Sequence, residues 1–117
     1  MSSFEDSASD SHLFAAVDDS ILQAGLLRKR SKGTPWKQRW VVLKETGLAY
    51  YKSDSDPEPL RVISLSGHMT VEVQYGKKGH PRLVLNTRHG QYQFTFATQK
   101  EFQCWYSSLR VALQKKN

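Results

Sequence analysis

The stretch that most constrains the fold is Leu26 to Leu43, LLRKRSKGTPWKQRWVVL. It reads as two β-strands joined by a loop of small, polar and basic residues, with Gly33 and Pro35 marking the turn. Side chains alternate across a strand, so Gly25, Leu27 and Lys29 share one face, with Leu26, Arg28 and Arg30 on the other. On the second strand Lys37, Arg39, Val41 and Leu43 lie opposite Trp36, Gln38, Trp40 and Val42. Folding the hairpin sets Leu27, Val41 and Leu43 at its far end and gathers Lys29, Lys37 and Arg39 beside the loop. One inward face therefore passes from oily to cationic as it nears the loop, which suits an anion at the open end of a core.

The rest of the chain repeats the pattern. Third, fourth and fifth strands are expected over Leu48–Lys52, Arg61–Leu65 and Met69–Tyr75, with Val71, Val73 and Tyr75 alternating against Thr70, Glu72 and Gln74. Arg82–Thr87 and Gln91–Ala97 give two more, turning at His89-Gly90. The period then changes. From Thr98 or Gln99 to about Lys115, Phe102, Trp105, Leu109, Ala112 and Leu113 recur at helical spacing, and Thr98 with Glu101 forms a capping box. Lys115 and Lys116 fall where cations suit a helix C-terminus. The expected architecture is all-β with a C-terminal helix: seven antiparallel strands in a barrel or sandwich capped by one amphipathic helix.

Charge divides the chain in two. Residues 1–20 carry five acids and no Lys or Arg, and are expected to be an acidic, Ser-rich disordered leader with a short helical turn around His12 to Val17. Folding of this leader back over the basic hairpin would let it compete with a ligand. Residues 21–117 form the domain; they hold all 17 basic residues and six acids, a net +11. Between Arg28 and Lys44 there are seven basic residues and no acid, a field that favours phosphate groups, an anionic membrane or nucleic acid. No apolar run is long enough to span a bilayer, and the start of the chain has no secretory signal pattern. With one cysteine, Cys104, no internal disulfide can form, and a cytoplasmic location is expected.

Seven strands followed by a helix with a central tryptophan resemble the pleckstrin homology (PH) domain. The resemblance covers about Leu22 to Gln114 and rests on Gly25-Leu26-Leu27-Arg28-Lys29, on WKQRWVVL from Trp36 to Leu43, on Leu48-Ala49-Tyr50-Tyr51, and on Trp105. It implies a phosphoinositide site. Members that grip these head groups use a Lys late in strand one and Lys/Arg-x-Arg early in strand two, which matches Lys29 and then Lys37-Gln38-Arg39, with Tyr50 joining from strand three. Ammonium and guanidinium groups suit phosphomonoesters, and Arg39 can hold two oxygens at once. Arg28, Lys32, Arg61 and Arg88 are second-tier candidates. The chain departs from inositol-binding members at Pro57 and Leu60, with Arg61 displaced by one, so the isomer is left open; the resemblance favours a 3-phosphorylated lipid. Trp36 and Pro35 either dip into the interface, or Trp36 packs on the outer face of the sheet.

Other chemistries are set aside. Asp54, Asp56 and Glu58 hint at a calcium loop, but Pro59 and Leu65 stand where an EF-hand needs Gly and Glu. The four histidines are scattered, so neither a metal nor another cofactor is expected. No nucleophile motif or Gly-rich phosphate loop is present. Tyr92, Phe94 and Phe96 alternate with polar residues as core rather than as a base-stacking platform, so nucleic acid is not an expected partner. The reading is a non-enzymatic module of a larger multidomain signalling protein, recruited peripherally to the plasma or endosomal membrane through phosphoinositide lipids. Its rival is a protein-interaction module on the same scaffold that binds a GTPase or a peptide.

Overall fold

A computed structural model gives the fold, and the structure describes residues 21–116. The acidic leader read over residues 1–20, its helical turn and its return over the hairpin lie outside the described residues.

The fold is built on β1 (Ile21–Ser31), a strand of 11 residues that serves two neighbours. It pairs antiparallel with β2 (Lys37–Lys44) from Ile21 to Lys29, with an irregularity between Ile21 and Gln23 that leaves Leu22 packed against the core. Its last four residues, Arg28 to Ser31, pair with β7 (Gly90–Thr95) on the other side. The remaining strands are β3 (Gly47–Tyr51), β4 (Arg61–Ser64), β5 (Thr70–Tyr75) and β6 (Pro81–Thr87). Together they make one seven-stranded antiparallel sheet in the order β4-β3-β2-β1-β7-β6-β5. Pro81 opens β6, where a missing amide costs the ladder least.

Alternation decides what is buried. Leu27, Val41, Leu43, Leu48 and Ile63 from the first four strands meet Leu83, Leu85, Tyr92 and Phe94 from β6 and β7. The helix α1 (Gln99–Gln114) closes this core with Phe102, Trp105, Leu109, Ala112 and Leu113, the stripe read from the sequence. Thr98 caps it, its Oγ1 accepting from the Glu101 amide at 3.1 Å. The Trp105 indole lies across Gly25 of β1, where an added Cβ would meet Nε1 at 3.7 Å. At the other end of α1, the Lys115 ammonium pairs with Glu45 in the turn between β2 and β3. Cys104 is exposed.

Two features go beyond simple alternation. Tyr75 is 72% exposed although it shares a face with Val71 and Val73, because β5 is an edge strand whose last residue runs beyond the core. The outer face of β2–β4 is not wholly polar: Val42, Ala49 and Val62 are buried there beneath Ala24, Trp40 and Tyr51. No helix among the described residues is long and apolar enough to cross a membrane.

Candidate functional site

The pairing register brings the cations together. Lys29 stands directly opposite Lys37, Leu27 opposite Arg39, and Val41 opposite Tyr50, which in turn faces Arg61. Lys29, Lys37, Arg39 and Tyr50 line one cavity of about 420 Å³, completed by Arg30 and Ser31 at the end of β1, by Leu60 and by the loop residues Thr34 and Pro35. The loop is tied at its root. Thr34 Oγ1 donates to the Ser31 carbonyl at 2.8 Å and accepts from the Ser31 amide at 3.0 Å, while Gly33 supplies the left-handed φ of 84°.

Lys29 is the innermost cation. Its Nζ sits 3.8 Å from the centroid of the Tyr50 ring and 5.4 Å from that of Tyr92. Burial, followed by the charges of Arg39, Arg61 and Lys37, lowers its pKa to about 8. Burial raises the Tyr50 pKa, with Tyr92 adding to the rise and Arg61 and Arg39 opposing it, so its hydroxyl stays a donor. Arg39 Nη1 donates to the Gln38 carbonyl at 2.9 Å. Among the described residues no carboxylate lies within ion-pair distance of Lys29, Lys37 or Arg39. Like charges facing each other across a sheet are destabilising, and a fold that keeps them unneutralised holds a site able to take up an anion.

The second-tier residues are dispersed. Arg61 is exposed on β4 but close enough to act on Lys29 electrostatically. Lys32 and Arg88 are exposed and stand outside the lining of this cavity. Arg28 faces away from it, into a second cavity of about 460 Å³ behind the hairpin, lined also by Arg30, Trp36, Lys77, His80 and Arg82.

Sequence reasoning missed the organiser of that second cavity. Gln93 is the one buried polar side chain among the described residues, and its Oε1 accepts from Arg30 Nε at 2.8 Å and from Arg82 Nη1 at 3.1 Å. The same guanidiniums lie 4.5 and 5.9 Å from the Trp36 ring, so the indole packs on the sheet as a platform for arginines. Arg30 forms part of the wall of both cavities. Gln93 sits among inward aromatics in the alternation, and only the pairing of β1 with β7 shows its purpose.

Comparison with known proteins bears on the family and the fold. The chain is 33% identical over 93 residues to a PH and Rap-GAP domain-containing protein of Dictyostelium discoideum, covering 80% of this chain and 8% of that protein. It is 31% identical over 96 residues to human pleckstrin, covering 80% of this chain and 27% of pleckstrin. The chain thus spans a small part of the length of these relatives. Among solved structures, the C-terminal PH domain of pleckstrin in complex with D-myo-Ins(1,2,3,5,6)P5 superposes with a TM-score of 0.66 at 26% identity. That match covers 83% of this chain and 99% of that one. The PH domain family model matches residues 21–114, and with seven antiparallel strands closed by one C-terminal helix, the chain belongs to the PH domain family.

Proposed function

We propose that this domain is a non-enzymatic membrane-targeting module that takes phosphoinositide head groups in the cavity of Lys29, Lys37, Arg39 and Tyr50. The observation that carries this reading is the convergence of three cations on one cavity with no carboxylate, among the described residues, within ion-pair distance of them. A phosphomonoester brings close to two negative charges and several acceptor oxygens to that place. A relative of the same fold was crystallised with an inositol pentakisphosphate, which supports the same ligand class here. Arg61 strengthens the field from the side, while Lys32 and Arg88 contribute at longer range. Arg28 and the second cavity make the hairpin positive on both faces, each cation near an anionic leaflet adding roughly 1 kcal/mol. The module serves a larger protein by holding it peripherally on the plasma or endosomal membrane, with 3-phosphorylated lipids favoured.

Sedimentation with vesicles tests this. Vesicles containing a 3-phosphorylated phosphoinositide are expected to pull the protein down, and Arg39→Ala to weaken that binding by about 2 kcal/mol, or roughly 30-fold. Equal sedimentation of the variant would sink the assignment and leave the scaffold as a protein-interaction module.

A further inference from the structure

We propose that Lys29 is an acyl-acceptor lysine, modified by small phosphate-bearing acyl donors that enter the cation-lined cavity, and that its acylation closes the cavity to head groups. The inference deepens the proposed function and rests on it, because it gives the same cavity a means of regulation.

The geometry separates Lys29 from an ordinary surface lysine. Its amine is half-buried at the inner end of the cavity, seated over the Tyr50 ring and beside Tyr92. Among the described residues the charged groups that act on it are cations: Arg39 and Lys37 from β2 and Arg61 from β4. Among the described residues it has no carboxylate partner to hold its proton. The lowered pKa agrees with that setting, so an appreciable fraction of Nζ carries a free lone pair near neutral pH. Nearby, Lys37 and Arg39 supply donors for a phosphate group. The cavity therefore combines a nucleophile with a means of holding the leaving group.

Acyl phosphates match that combination. The uncharged Nζ attacks the acyl carbon, forming the C–N bond of an amide. The bond from that carbon to the phosphate oxygen breaks, and phosphate departs with the electron pair. The proton released by nitrogen goes to the departing phosphate, giving amide and hydrogen phosphate with no change of oxidation state. The product has lost a cation and gained bulk at the innermost point of the cavity, which removes head-group binding.

The test is incubation of the full chain with acetyl phosphate at pH 7.4, with site occupancy followed by peptide mass spectrometry. Lys29 is expected to acetylate roughly tenfold faster than the median of the other lysines. Arg39→Ala is expected to slow Lys29 more with acetyl phosphate than with an uncharged activated ester: loss of the neighbouring cation raises the Lys29 pKa and slows both, but only acetyl phosphate also loses the group that holds its phosphate. Acetylation of Lys29 at the common rate, or an Arg39→Ala slowing no greater with acetyl phosphate than with the ester, overturns the inference. Inositol hexakisphosphate separates the two readings. Selective acetylation that it fails to block supports the modification site and overturns head-group binding, whereas head-group binding without selective acetylation does the reverse.

Discussion

Lys29 shows how a single side chain can carry a cost for the fold and a benefit for the ligand. Its pKa of about 8 lies below the ordinary lysine value, so the folded state binds fewer protons than the unfolded state between about pH 8 and 10.5. Stability from this group therefore rises with pH across that window, and below it the buried charge works against folding. A bound phosphate reverses the preference by holding the ammonium form. Affinity for soluble inositol phosphates is accordingly expected to be full below pH 8 and to decline as pH rises through it. Calorimetric titration between pH 7 and 9 checks this, with Lys29→Arg expected to flatten the profile because a guanidinium keeps its charge. A profile as steep in the variant as in the unaltered protein would remove Lys29 from the binding step.

At the scale of elements, the hairpin was legible because alternation alone places Lys29, Lys37 and Arg39 on one face, with Tyr50 added by the family resemblance, and the register between β1, β2 and β3 brings them together. The helix was legible for a similar reason, its stripe recurring at a period no strand shares. The second cavity was not. It depends on β1 lying beside β7, a pairing between residues more than 60 positions apart, and no local pattern announces which distant strand becomes a neighbour. For that reason Arg30 reads as an outward residue, and Arg82 and Gln93 carry no signal of their own. The helix is also where the domain is most vulnerable. Trp105 is 2% exposed and touches β1 at Gly25 and the Phe96 ring, so Trp105→Ala is expected to cost about 3–5 kcal/mol in urea denaturation. A loss under 1 kcal/mol would mean that α1 is not what closes the core.

Taken whole, the domain is basic, with its cations crowded at one end. The hairpin end collects Arg28, Lys29, Arg30, Lys37 and Arg39 in two cavities, while the Lys115–Glu45 pair stands at the far end of the same hairpin, beside the turn after β2. Long-range attraction and close contact respond differently to salt, since exposed charges are screened over about 8–10 Å and enclosed ones much less. Binding to vesicles that carry anionic lipid but no phosphoinositide is therefore expected to fade steeply between 50 and 200 mM salt. Soluble inositol phosphate, read by calorimetry over the same range, should lose affinity far less. Matching slopes for the two ligands would show that no enclosed contact exists.

The double membership of β1 has one more consequence. At Arg28 and Lys29 the strand is held on both flanks, by Gln38 and Lys37 on one side and by Thr95 and Phe94 on the other. The innermost cation thus hangs from interior backbone, although it serves a cavity at the rim. If the cavity takes an anion as proposed, its capture there would need no slow rearrangement of the main chain, and the rate of encounter would be left to diffusion and the protein's own field.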